Sequence, residues 1–168
     1  MAGNLLTKYG TNNQTITITL ANNSVGLASS TSGVGRASTA VDNTTNQFVD
    51  ALVTAKLKTA AGGVSGSGYA TVYAYGTTDG GASYTEGATG TDAGLTLTQP
   101  ANARAIAVIN LVGLATTYIA GPFSVAKAFD GILPDHWGII VVNSSGAALD
   151  AVAASHSITY QGVEGQYT

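Results

Sequence analysis

The chain has 168 residues and a formal net charge of -3, and only 9% of its side chains are charged, against roughly a quarter in ordinary soluble proteins. The length suits one well-buried core, and the six Lys and Arg residues are too few and too scattered for the basic stripe that nucleic acid demands. The sequence has no cysteine, which excludes a disulfide framework and thiolate zinc, and no run approaches the roughly 20 apolar residues of a helical membrane span.

Residues 1–14 are polar and Asn-rich, with Leu5, Leu6 and Tyr9 as anchors, and read as an N-terminal arm; residues 15–168 read as a single domain. Leu5 and Leu6 are too short an apolar run for a signal peptide and Lys8 follows them, so synthesis in a cytoplasm is expected. Thr15, Ile16, Thr17, Ile18, Thr19 and Leu20 alternate strictly and predict a half-buried strand. Residues 21–47, rich in Ser, Thr, Gly and Asn, predict an edge strand plus a docking loop. Gly33, Val34, Gly35 and Arg36 lack the following helix and lysine of a phosphate loop and read as a turn.

From Gln47 to Lys58, Val49, Ala51, Val53, Ala55 and Leu57 share one face and Phe48, Asp50, Leu52, Thr54, Lys56 and Lys58 the other, which predicts a long strand. A Gly/Ser loop over 60–68 precedes a second alternation, Tyr69, Thr71, Tyr73 and Tyr75 against Ala70, Val72 and Ala74. Thr77, Asp79, Gly81, Ser83 and Tyr84 resemble the Asp-box turn of sialidases and other β proteins, in which the Asp caps the backbone of a hairpin; the expected role is structural. A Gly-Thr-Asp loop over 85–94 leads to a short strand at Leu95 and Leu97, stopped by Pro100. In the strand over 105–111, Ile106 and Val108 face one way and Ile109 and Leu111 the other, all expected to be buried. Residues 116–119 read as a short strand and Gly121-Pro122 as a turn; the segment carrying Phe123, Val125 and Phe129 fits a strand or a helical turn equally.

Residues 133–149 read as the spine. Pro134 sets an extended entry, Trp137 seals one end of the core, and Ile139, Ile140, Val141 and Val142 form a strand apolar on both faces, hence central. Asn143, Ser144, Ser145 and Gly146 supply the turn that ends it. After a small-residue loop over 151–155, His156, Ile158 and Tyr160 alternate into a last strand ending at Gln161-Gly162. About eight to ten short strands with no long helix predict an all-β, antiparallel, jelly-roll-like β-sandwich.

Chemistry-bearing residues are sparse. Asp135, His136 and Trp137 form the richest triplet, yet sequence neighbours on an extended chain point to opposite sides, so His136 is expected to pack beside Trp137 and cap a turn. No nucleophile-elbow spacing accompanies His136 or His156, and no catalytic residue is assigned. Asp42, Asp79 and Asp92 lie in loops without a metal-binding spacing, so no metal and no cofactor are expected. Glu86 and Glu164, the only glutamates, sit in Gly-rich surroundings that disfavour a glycosidase pair. Asn13, Asn22, Asn43 and Asn143 open Asn-x-Ser/Thr sequons that this composition yields by chance. Tyr69, Tyr73, Tyr75 and Tyr84 are candidates for a carbohydrate-binding face and equally for half-buried sheet positions or interface anchors.

The order of several segments carries a resemblance over nearly the whole chain. These are the alternation over 15–20, residues 40–46 with 49–52, Tyr73-Ala74-Tyr75-Gly76 with Asp79-Gly80, Gly121-Pro122-Phe123, Leu133-Pro134 with Trp137-Gly138-Ile139, and Tyr160-Gln161-Gly162-Val163. In that order they resemble a family of structural proteins of tailed-bacteriophage and prophage virions. The resemblance implies a non-enzymatic virion component assembled in the bacterial cytoplasm, with itself and other virion proteins, above all the major capsid protein, as partners. A homo-oligomeric capsid decoration or cement protein is the first expectation, a tail or baseplate component the second; a carbohydrate-binding or adhesion module is the reading from another class.

Overall fold

The computed structural model describes residues 5–99 and 101–167. Its strands in chain order are β1 (Leu5–Tyr9), β2 (Gln14–Thr15), β3 (Val34–Ala37), β4 (Val41–Asp42), β5 (Asp50–Lys58), β6 (Tyr69–Thr77), β7 (Ala93–Thr96), β8 (Arg104–Asn110), β9 (Thr117–Ser124), β10 (His136–Ser144) and β11 (Ser157–Tyr167). Helix among the described residues is confined to short 3-10 turns at Thr85–Gly87, Ala126–Phe129 and Ala153–Ser155.

One sheet runs β1-β11-β5-β9, with β2 also on β11; the other runs β7-β3-β10-β6-β8, with β4 also on β10. The antiparallel pairs nest: β2 with β11, β3 with β10, β5 with β9, and β6 with β8. A long hairpin whose successive pairs fall alternately in the two sheets is a jelly roll, two Greek keys packed face to face. The fold class read from the sequence is therefore observed.

The strongest patterns become the central strands. In β5, Ala51, Val53, Ala55 and Leu57 are fully buried between the sheets while Leu52, Thr54, Lys56 and Lys58 are half-exposed. The alternation fails at its start: Val49 is exposed and Phe48 is buried, because the ladder begins at Asp50 and Phe48 folds over Gly162 of β11. In β10, Trp137, Ile139 and Val141 enter the inter-sheet core, and Ile140 and Val142 enter a second cluster with Ala37, Tyr75, Ala88, Leu97 and Ala103. That second cluster lies on the outer face of the sheet, where the segment following Tyr84 covers it. Both faces of β10 are thus buried, as the unbroken apolar run predicts.

Other expectations are corrected. Residues 15–20 keep their alternation, with Ile16 and Leu20 buried, but only Gln14–Thr15 sits in a ladder. The chain crosses between sheets there: Ile16 N–H donates to Ile158 O at 2.9 Å, and one residue later Thr17 O accepts from Thr39 N–H at 2.8 Å. Residues 21–47 hold two strands, β3 and β4, and β3 is interior because β7 covers its far side. Val108 is exposed: β8 bulges opposite Val72/Tyr73, so Ile106 is the extra residue and Ile106, Ala107, Ile109 and Leu111 all face inward. Gly121-Pro122 is no turn; β9 runs through it with a second bulge opposite Val53/Ala55. Gly121 has φ 133, and a Cβ there would lie 2.6 Å from Val53 O. Phe123 falls in β9, Val125 directly precedes the following 3-10 turn, and Phe129 falls within that turn. β11 runs on to Tyr167 rather than ending at Gly162. Pro100, read as the stop after Leu97, and residues 1–4 of the expected arm lie outside the described residues.

Candidate functional site

The Asp-box-like turn forms as the sequence predicts. Asp79 Oδ1 accepts from the Thr77 hydroxyl and from the N–H groups of Ala82 at 2.9 Å and Ser83 at 3.1 Å. The Thr77 bond, followed by the Ser83 and Ala82 donors, lowers the Asp79 pKa to about 2. Gly80 and Gly81, both at positive φ, carry the chain around the carboxylate. Tyr84 leaves the turn to meet Tyr75 edge-on at 5.5 Å. Tyr75 is fully buried; desolvation pushes its pKa up to about 12, although its hydroxyl donates to Ser38 O at 2.6 Å.

The triplet Asp135, His136 and Trp137 does not act together. Trp137 points into the core against Tyr160, edge-on at 5.2 Å, with its Nε1 unpaired. His136 caps no turn; that role belongs to Asp135, whose Oδ2 accepts from Gly80 N–H at 3.3 Å. The imidazole lies 3.6 Å from Asp135 Oδ1 and 3.8 Å from Asp42 Oδ1, beyond hydrogen-bond reach of both. His156 is a backbone staple: Nδ1 accepts from Lys58 N–H at 3.3 Å, so Nε2 carries the proton it gives to Asp150 O at 2.8 Å. Among the described residues no Ser or Thr hydroxyl bonds either imidazole.

The remaining acids are equally occupied. Asp92 holds Arg36 Nε at 2.5 Å and the Thr19 hydroxyl at 2.5 Å. Asp42 caps Thr44 through its N–H and hydroxyl. Glu86 gathers the N–H groups of Thr98, Asn102 and Ala103; desolvation opposes its charge, but these donors outweigh it and lower its pKa. Glu164 pairs with Lys8 at 2.7 Å. Among the described residues no group of three or more His, Asp or Glu is arranged to hold a metal ion.

Two buried asparagines form brackets that the sequence reading took for turn or sequon positions. Asn143 is fully buried; its amide donates to Leu27 O at 2.9 Å and Ala147 O at 2.8 Å, and its Oδ1 accepts from Ser145 N–H at 3.0 Å. Asn43 makes a reciprocal pair with Phe48, donating to its O and accepting from its N–H, both at 2.9 Å. Asn43 directly follows β4 and Asn143 is the penultimate residue of β10, and a strand-end position gives no signal separating a buried bracket from an exposed turn residue.

Two surface features remain. The first is a ribbon. β11 leaves β5 at Val163 and continues with β1 alone, Lys8 facing Glu164 and Leu6 facing Gln166. Residues 6–9 are all exposed, Leu6 at 51% and Tyr9 at 57%. The second is a groove of about 460 Å³ on the outer face of the other sheet, floored by β6 and β10 where the covering segment stops. Tyr69 and Tyr73 line it, and Tyr73 also packs, like Tyr84, against the outer-face cluster in which Tyr75 is fully buried. Compared with protein-family models, curated proteins and solved structures, the chain matches none.

Proposed function

We propose that this chain is a structural subunit of a tailed-bacteriophage particle, a homo-oligomeric decoration protein that stabilises the capsid through contacts with the major capsid protein. The observation that carries the reading is the β1/β11 ribbon. A two-stranded ribbon with no third strand is marginal in water, and this one exposes Leu6 and Tyr9 rather than burying them. Its outer edge presents unpaired backbone groups, the usual template for strand addition by another chain. A neighbouring subunit that covered the ribbon would satisfy both needs, as interlocking arms do in a shell.

The surface composition supports the same reading. On the outer face of the β11/β5 sheet Thr15, Leu52, Thr54, Thr159 and Gln161 form an uncharged strip that ends at Lys56 and Lys58, and Ile119 on β9, the partner of Lys56, is 74% exposed. Such faces suit assembly contacts, whose cores are depleted in charge. Deleting residues 1–9 removes β1 and leaves every strand of the sandwich in place, so the shortened chain folds but does not incorporate into particles. Incorporation at the full-length level in a complementation assay would overturn the ribbon's role.

A further inference from the structure

We propose that the groove between Tyr69 and Tyr73 is a binding site for a neutral oligosaccharide. Tyr69 and Tyr73 stand four residues apart on the outer face of β6, about 13 Å along the strand, which is the length of a short chain of sugars rather than of one. The volume of about 460 Å³ falls within the range of small-ligand sites.

The polar groups of the groove divide into two sets. One set builds the walls: the Ser144 hydroxyl donates to Ser30 O at 2.9 Å, Gly146 N–H donates to the Ser29 hydroxyl at 3.0 Å, and Ser65 N–H donates to Ser145 O at 2.7 Å. These bonds fix both wall loops to the end of β10 before any ligand arrives, which lowers the ordering cost of binding. The other set is free. Among the described residues, the hydroxyls of Tyr69, Tyr73, Thr71 and Thr31 and the amide of Gln99 have no hydrogen-bond partner. Thr71 is 8% exposed, and what it exposes lies on the groove floor, where its hydroxyl opens into the groove.

The chemistry of the lining selects the ligand. No charged side chain lines the groove, so a phosphate, a sulfated glycan or a metal ion would shed water without gaining a counter-charge. Beside the Tyr rings the apolar lining is Val142, too little for the deep apolar anchor of a peptide. Flat aromatic faces for C–H surfaces, combined with unpaired hydroxyl and amide groups that both donate and accept, match the two-sided character of an uncharged sugar. The site is independent of the assembly role, since the ribbon lies on the other sheet.

The test is an immobilised glycan panel probed with the full chain, carrying neutral oligosaccharides (maltohexaose, cellohexaose, N-acetylchitohexaose, galactomannan fragments) and acidic ones (sialyllactose, a heparin hexasaccharide), followed by calorimetric titration of any hit. The expected result is saturable binding of at least one neutral glycan. Tyr69→Ala and Tyr73→Ala should each weaken it about tenfold, as truncating an aromatic anchor does, while Tyr73→Phe holds it within a few fold. Tyr69 is partly exposed, so Tyr69→Ala keeps its melting temperature and the test stands even if Tyr73→Ala misfolds. Absence of neutral glycan binding at millimolar concentration, binding confined to the acidic probes, or binding unchanged in Tyr69→Ala would each overturn the assignment.

Discussion

Replacing Asn143 by alanine removes a side chain that holds two stretches of chain, the one at Leu27 and the turn over 145–147, to the end of the central strand. The side chain is fully buried and makes three hydrogen bonds, to Leu27 O, Ala147 O and Ser145 N–H. A typical hydrogen bond contributes about 1 kcal/mol net, and a donor or acceptor left buried without a partner costs about 1 to 3 kcal/mol. Leu27 O keeps the N–H of Leu149 at 3.0 Å and Ala147 O the Ser145 hydroxyl at 2.9 Å, whereas Ser145 is fully buried and its N–H is orphaned. The loss is then about 3 to 5 kcal/mol, a fall in melting temperature of about 6 to 20 °C for a chain of this size. Urea denaturation followed by tryptophan fluorescence measures it directly, because Trp137 is the only tryptophan and is wholly inside. Asn22→Ala is the comparison: Asn22 also accepts two backbone N–H bonds, from Ser24 and Val25, but is exposed, so its loss is about 1 kcal/mol or less. Equal losses at the two sites, or a loss below about 1 kcal/mol at Asn143, would refute the reasoning that burial makes this bracket structural.

Trp137→Ala should cost about 3 to 5 kcal/mol through the cavity it leaves against Tyr160, while Trp137→Phe, which also discards the unpaired Nε1, should cost clearly less in the same titration. Gly138→Ala should destabilise by about 1 to 3 kcal/mol by overpacking, since a Cβ there would lie 2.4 Å from the ring of Tyr75, its cross-strand partner; an unchanged urea midpoint would contradict that contact. Stability should fall with acidification in two steps. Burial lowers the His156 pKa below 6.5, so the unfolded chain takes up the proton first and stability declines as pH drops through that region; His156→Asn should remove this step. Asp79, held at about 2 against 3.8, contributes stability above about pH 4 that is lost as pH falls toward 2, and Asp79→Asn should flatten that part of the urea midpoint profile.

The strands that follow a period of two with large apolar residues were legible from sequence, because burial on one or both faces of a sheet is written in the residues themselves. The alternation of β5 and the double-faced run of β10 show it, as does the Asp79 turn, whose chemistry is local. Where the determinant is tertiary, the sequence was silent. β3 (Val-Gly-Arg-Ala) and β4 (Val-Asp) are too short to carry an alternation and become strands only because β10 offers an edge to pair with. Val108 departs from the burial its alternation predicts because a bulge shifts the parity of β8 by one residue, and nothing in 104–110 marks the bulge. The four tyrosines look alike in sequence, yet Tyr75 is fully buried, Tyr84 is half-buried against the outer-face cluster, and Tyr69 and Tyr73 line the groove. The difference is set by where the segment after Tyr84 stops, a matter of packing rather than of pattern.

The proposed assembly role is tested most directly by locating the chain in intact phage particles by electron cryomicroscopy, with its copy number taken from the same preparation. The account predicts density for the sandwich repeated over the capsid surface, with the β1/β11 ribbon buried against a neighbouring subunit. Particles that lack the chain, or that carry it with the ribbon facing solvent, would contradict it.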